Sequence, residues 1–159
     1  MTTLRGVELI ARAKPGRLDT DQLRDVHRYL FQDVYHWAGE LRTVRIEKPG
    51  AVFAFPAHIE WALKDAFKKL RNEAHLNGLA IDRFAERAAY YLGELNAIHP
   101  FREGNGRTQR EFIRQLASHN RFELDWSRTT RDQMMTASIL SFRGDCSLLA
   151  NIIRAAITN

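Results

Sequence analysis

Residues 99–110 read His99-Pro100-Phe101-Arg102-Glu103-Gly104-Asn105-Gly106-Arg107-Thr108-Gln109-Arg110, the densest polar cluster of the chain. His99 is the side chain there that most readily accepts a proton near neutral pH. Glu103 is a carboxylate of the kind that holds Mg²⁺ beside phosphates. Gly104 and Gly106 remove side chains where the backbone must come close to something. A helical pattern starts here, and the first N–H groups of a helix are unpaired and lie at the positive end of its dipole. That is an anion site before any side chain is counted. Arg107 and Arg110 are three apart, share a helix face, and suit a polyphosphate through planar, charge-assisted hydrogen bonds. A base, a metal ligand, an anion hole and two arginines are the parts of phosphoryl or nucleotidyl transfer. Each part alone is common in turns and on solvated helix faces; the joint occurrence carries the reading.

The elements that must position this loop are mostly helical. Leu23, Val26, Leu30, Val34 and Trp37 share one face of a helix expected over 21–37. Ile59, Leu63, Phe67, Leu70 and Ala74 do the same over 57–77, with a stop at Gly78. Asp82 caps a third helix carrying Ala85, Ala88, Leu92 and Leu95. A fourth follows Gly104 with Phe112, Ile113 and Leu116, a fifth covers about 130–142, and a last one from Ser147 carries Leu148, Leu149, Ile152, Ile153 and Ile157. A short helix near 3–13 is weakly signalled. Val44, Ile46, Val52, Phe53 and Phe55 flank Lys48-Pro49-Gly50-Ala51 and read as a hairpin. It has no partner strands, so it is expected as a flap laid on an all-α body. Spacing alone favours a purely structural hairpin, although such an edge can also pair with an extended segment of another chain.

Composition sets the outer bounds. The 159 residues carry 24 Lys and Arg against 19 Asp and Glu, a formal charge of +5, with 45% hydrophobic residues. That supports one domain with a sizeable core. The single cysteine, Cys146, excludes an internal disulfide and points to a reducing, cytoplasmic setting. No apolar run approaches the ~18 residues of a membrane span, and the N-terminus lacks a signal-peptide core. The positive excess calls for an anionic partner. A nucleic-acid-binding helical module is the competing class, but the basic residues are interleaved with acids and form no run, and no zinc-finger or basic-zipper pattern is present. No direct nucleic-acid contact and no membrane contact are expected. His27, His36, His58, His75 and His119 show no metal-binding spacing and read as surface or core histidines; Met134-Met135 reads as core.

Residues 99–110 resemble the motif of the Fic family, His-x-Phe-x-Asp/Glu-Gly-Asn-Gly-Arg-x-x-Arg. His99, Phe101, Glu103, Gly104, Asn105, Gly106, Arg107 and Arg110 match all its fixed positions. Upstream, Tyr35-His36-Trp37-Ala38-Gly39-Glu40-Leu41-Arg42 resembles the family's segment ahead of its flap, and residues 43–56 resemble the flap. The resemblance implies an all-α Fic fold over residues 1–159, with the catalytic loop at 99–110. It implies transfer of AMP from the co-substrate ATP to a Ser, Thr or Tyr hydroxyl of a target protein. His99 would deprotonate the hydroxyl, which attacks the α-phosphate in line and expels pyrophosphate. Glu103 would hold Mg²⁺. Gly104, Asn105 and Gly106 would cradle the α- and β-phosphates, with Arg107 at the β- and Arg110 at the γ-phosphate. Phe101 would anchor the loop in the core. The flap, through the backbone near Val52 and Phe53, would take the target as an added strand, which reverses the structural reading of the hairpin.

The Doc type, which carries lysine at the position of Gly106, transfers the γ-phosphate from a reversed nucleotide. Gly106 therefore favours AMP transfer, with Doc-type phosphotransfer as the alternative and a non-catalytic nucleotide-binding relative as a further class. Many relatives carry an inhibitory helix with the pattern Ser/Thr-x-x-x-Glu-Gly/Asn. Thr43–Glu47 is the sole pair with that spacing, and it lies in the hairpin before Lys48. This implies the toxin of a bacterial toxin–antitoxin pair, a small antitoxin supplying the glutamate in trans, and by likeness a type II topoisomerase subunit as target; the alternative is a natural protein longer than this chain, or an unregulated one.

Overall fold

The computed structural model describes residues 17–159. The short helix expected near 3–13 lies outside them. Helix α1 (Thr20–Phe31) starts at Asp19, whose carboxylate accepts the Gln22 N–H at 2.9 Å. A hairpin follows, with β1 (Glu47–Lys48) antiparallel to β2 (Ala51–Val52) in the register Glu47↔Val52 and Lys48↔Ala51. Pro49-Gly50 make its turn, with Gly50 at φ +78 as a type II turn requires at its third position. Then come α2 (Pro56–Asn72), a short 3₁₀ turn (Ala74–Leu76), α3 (Ile81–Ile98), α4 (Asn105–His119), a second 3₁₀ turn (Trp126–Arg128), α5 (Arg131–Phe142) and α6 (Ser147–Ala156). No helix among the described residues is long and apolar enough to cross a membrane.

Helix α3 is the hub and packs on α2, α4, α5 and α6, while α4 is sandwiched between α3 and α1. The apolar faces meet in one core that includes Leu63, Leu70, Phe84, Leu95, Phe101, Phe112, Ile113, Leu116 and Ile153. A satellite cluster of Val26, Leu30 and Phe31 of α1 packs with Tyr35 and Ala38. Helix α1 is also held to α4 by a buried relay: Gln22 donates to Gln115, which donates to Glu111, itself paired bidentately with Arg114.

Several boundaries differ from the periodic pattern, each for a tertiary reason. Helix α1 ends at Phe31 and not at Trp37. The Gly39 N–H donates to His27 and its carbonyl accepts from Arg24, which folds residues 32–39 back as tight turns and leaves Val34 exposed. Helix α2 ends at Asn72. Ala74, His75 and Leu76 take left-handed φ values so that Leu76 is buried, while Glu73 turns to Arg87 and Tyr91 of α3. Asp82 does not cap α3. The cap position is Ala80, and Asp82 pairs with Arg154 of α6 at 2.6 Å. Ile157 lies past the end of α6, in an isolated bridge to Leu124. The hairpin strands are shorter than the apolar pattern, which places Val44 and Ile46 before β1. Met135 is exposed and Met134 only partly buried.

Gly93 lets α3 approach the end of α5. A Cβ there would stand 2.5 Å from Ser141 Oγ and 3.4 Å from Cys146 Sγ. Overpacking of this kind costs ~1–3 kcal/mol, against a helix-propensity gain of ~1 kcal/mol for Gly→Ala. Gly93→Ala is therefore expected to be more favourable by about 1–2 kcal/mol in a Ser141→Ala background than in the wild type, read by urea denaturation. Equal effects in both backgrounds would contradict the close contact.

Candidate active site

Residues 99–104 turn the chain from the end of α3 to the start of α4, and each turn point has a dedicated partner. His99 caps the C-terminal end of α3 just past Ile98, left-handed at φ +51, with its N–H on the Leu95 carbonyl at 2.9 Å. Phe101 is fully buried and stacks on the His27 ring at 4.0 Å. The Asn105 side chain brackets Phe101, accepting its N–H at 2.9 Å and donating to its carbonyl at 2.6 Å. His27 is fully buried and links two segments. Its Nδ1 accepts the Gly39 N–H at 2.9 Å, so the proton sits on Nε2 and is donated to the Glu103 carbonyl at 2.9 Å. Burial pushes its pKa down, which keeps this neutral tautomer.

Gly104 precedes α4 at φ +79, a conformation that favours glycine, and an added Cβ would fall against the Phe31 ring. No side chain caps this helix. Its first N–H groups therefore have no side-chain cap, the state in which a helix start can receive an anion. Arg110 lies across it, so that a Cβ at Gly106 would stand 2.9 Å from Arg110 Nη1. The Arg110 guanidinium is half-buried, and burial followed by the neighbouring Arg107 charge pulls its pKa down. Trp126 donates to the Arg110 carbonyl at 2.9 Å and steadies this turn from outside. Arg107 and Glu103 are exposed. The Glu103 carboxylate makes no ion pair among the described residues, and no cluster of three metal-binding side chains occurs among them.

His99 is nearly buried, and its ring stacks face to face under Phe53 of the flap at 3.9 Å. Phe53 in turn meets Phe142 edge-on at 5.7 Å. Burial, then the charges of Lys48 and Arg42, push the His99 pKa down to about 4. Its Nδ1 is buried with no hydrogen-bond partner. The imidazole is therefore neutral at pH 7, the form that accepts a proton.

The expected site residues are thus distributed as follows. His99, Glu103, Gly104, Gly106, Arg107 and Arg110 gather at the junction of α3 and α4. Asn105 is at the same junction, but its side chain is committed to the loop backbone, which leaves its main-chain N–H for an anion. The two flap residues point opposite ways, as alternation along a strand demands: Val52 is exposed and Phe53 is buried against His99. Spacing did not single out two residues that matter here. His27 read as one of several scattered histidines, and its only sequence signal is its place on the buried face of α1. Arg42 read as part of the segment ahead of the flap. It is buried at 2% exposure, with its donors on backbone carbonyls at the site.

Two outcomes follow from this geometry. In the nucleotide-free protein the His99 ring, followed by NMR, titrates near pH 4 and not near 6.5. Because the unfolded chain takes up that proton first, the stability His99 allows is complete above about pH 6.5 and is lost as pH falls toward 4. A midpoint near 6.5 would contradict the buried, flap-covered ring. Gly104→Ala combines a left-handed backbone penalty of ~1–2 kcal/mol with overpacking of ~1–3 kcal/mol. A loss below about 0.5 kcal/mol in urea denaturation would contradict the contact with Phe31.

Comparison with known proteins identifies the family. A model of the Fic/DOC family matches residues 17–117. Over 155 residues, 98% of this chain, it is 45% identical to the protein adenylyltransferase VbhT of Bartonella schoenbuchensis, of whose length it spans 32%. It is 43% identical to y4lH of Sinorhizobium fredii over 143 residues, 89% of this chain and 74% of that protein. Among solved structures, the N-terminal Fic domain of a VirB-translocated Bep effector of Bartonella quintana, with bound ADP, superposes with a TM-score of 0.91 at 28% identity. That match covers 99% of this chain and 81% of that one. BepC of Bartonella tribocorum, with bound AMPPNP, gives a TM-score of 0.90 at 28% identity over 99% and 82%. With the family model matched across the flap and the α3–α4 junction, this chain belongs to the Fic/DOC family.

Proposed function

We propose that the protein is an adenylyltransferase that moves AMP from ATP to a Ser, Thr or Tyr hydroxyl of a target protein. The observation that carries the reading is the pairing of a neutral, flap-covered His99 with an uncapped helix N-terminus kept open by Gly104 and Gly106. In this reading the incoming hydroxyl gives its proton to His99, and its oxygen bonds to the α-phosphorus as the bond to the pyrophosphate oxygen breaks. The first N–H groups of α4 and the guanidinium groups of Arg107 and Arg110 carry the phosphate charge. The donor set suits Mg²⁺: Glu103 supplies one free carboxylate oxygen pair, and the remaining ligands would come from phosphates and water. When bound there, the ion neutralises phosphate charge. The relatives' ADP and AMPPNP support a nucleotide in this fold.

The flap supports a strand-like target. Its ladder spans only Glu47–Lys48 and Ala51–Val52, and Val52 faces outward at 58% exposure while Phe53 anchors the strand from below. An extended segment would add to this edge through main-chain hydrogen bonds. The proposed setting is the toxin half of a toxin–antitoxin pair, with a type II topoisomerase subunit as target. The proposed restraint is a small antitoxin whose glutamate approaches Arg110. Arg110 has no carboxylate partner among the described residues, and residues 1–159 offer no helical Ser/Thr-x-x-x-Glu-Gly/Asn pattern to supply one.

The test is label transfer to protein in a bacterial lysate. Label from α-labelled ATP is expected on protein, and His99→Ala should reduce it by at least ~10²-fold, the usual contribution of a positioned base. Transfer from γ-labelled but not α-labelled ATP would establish the Doc-type alternative instead.

A further inference from the structure

Arg42 is 2% exposed, yet among the described residues it forms no ion pair. All its partners are backbone carbonyls, and they come from both sides of the flap and from the end of α3. Nε donates to the His99 carbonyl at 2.6 Å, and Nη2 to the Ile98 carbonyl at 3.1 Å. Nη1 donates to Val44 ahead of β1 at 2.8 Å, and Nη2 also to Ala54 just after β2 at 2.6 Å. Its own N–H donates to the Pro100 carbonyl at 2.9 Å, and the Ala54 N–H donates to Ala97 at 3.3 Å. Between Ala54 and His99 the circuit closes through Phe53, whose ring lies on the imidazole.

We propose that Arg42 is a positioning residue that clamps both legs of the flap to the helix end carrying His99, so that the flap edge and the imidazole move as one body. The inference rests on reading the flap as the edge that receives the target, since only then does the clamp tie target register to the base. A buried cation without a carboxylate is costly unless its donors are satisfied. Here the cost is offset by the last carbonyls of α3, which are unpaired within the helix and lie at the negative end of its dipole. The planar fork of a guanidinium reaches carbonyls on two sides at once; a lysine presents three donors from one point and cannot span them. The arrangement also explains why a hairpin of so few ladder pairs holds a fixed position: its anchorage is the guanidinium and Phe53, not its own strands.

The test compares wild type with Arg42→Lys, which keeps the charge and removes the fork. Neither nucleotide nor target is needed, so failure of AMP transfer in the wild type would sink the transferase reading and leave this result to be judged separately. Expected for Arg42→Lys is at least ~10-fold faster amide exchange at Ala51, Val52 and Ala54. The His99 titration should move up by about one unit or more, because the loosened flap readmits water to the ring. The charges that face His99 are Lys48 of the flap and residue 42 itself, and both stay positive in this variant. Binding of inorganic pyrophosphate, followed by NMR, should change less than about twofold, since the start of α4 lies outside the clamp. Unchanged exchange and titration in a folded variant would overturn the proposal, as would equal loss of pyrophosphate binding. If the variant does not fold, the wild type decides. The Arg42 Nε–H and the Ala54 amide should then exchange within ~10-fold of each other, and an Ala54 amide ~100-fold faster would show that the flap opens without the clamp.

Discussion

The start of α4 must stay uncapped. An anion site made of helix N–H groups works only if no side chain of the protein occupies it, so the turn leading into it has to be stabilised without the usual cap. The structure meets this constraint from a distance. Asn105, the first residue of α4, turns its side chain back to bracket Phe101. His27 reaches from α1 to hold the Glu103 carbonyl. Phe31 packs where a Cβ on Gly104 would have been. Each of these fixes the turn without capping α4, and the last two depend on α1 lying across α4.

The same constraint organises charge. Two guanidinium groups sit near the site with different environments and different jobs. Arg110 is half-buried beside the charge of Arg107 and has no carboxylate partner among the described residues. Arg42 is sealed in backbone carbonyls and is already satisfied. His99 is kept neutral by burial and by the positive charges of Lys48 and Arg42. Elsewhere basic residues are offset by acidic neighbours in surface pairs such as Arg83–Glu86 and Lys69–Asp65.

Much of this was legible in residues 99–110, because an anion site at a helix start is encoded locally: glycines for backbone approach, arginines three apart, a histidine at the preceding helix end. The helical periodicity of α2 to α6 was also local and visible. What was not legible depends on contacts distant in sequence. Val34 and Trp37 continue the apolar spacing of α1, yet the helix stops at Phe31 because Gly39 is drawn back onto His27 and Arg24. Ala74 fits the face of α2, yet the chain turns left-handed there so that Leu76 is buried. His27 and Arg42 carry little spacing signal, since a key main-chain partner of each lies far along the chain, the Glu103 carbonyl 76 positions from His27 and the His99 carbonyl 57 from Arg42. Val52 and Phe53 were expected together on the flap, and alternation along the strand separates their roles.

The central claim is that the first turn of α4 holds the nucleotide's phosphates. It is tested most directly by adding ATP to ¹⁵N-labelled protein and following the backbone amides. The account predicts that the largest shifts fall on Gly104, Asn105, Gly106 and Arg107, with the Asn105 side-chain amide little moved because Phe101 holds it. Largest shifts instead around the groove of about 500 Å³ between α1 and α2, lined by Arg24, Lys64, Lys68 and Arg71, would contradict it.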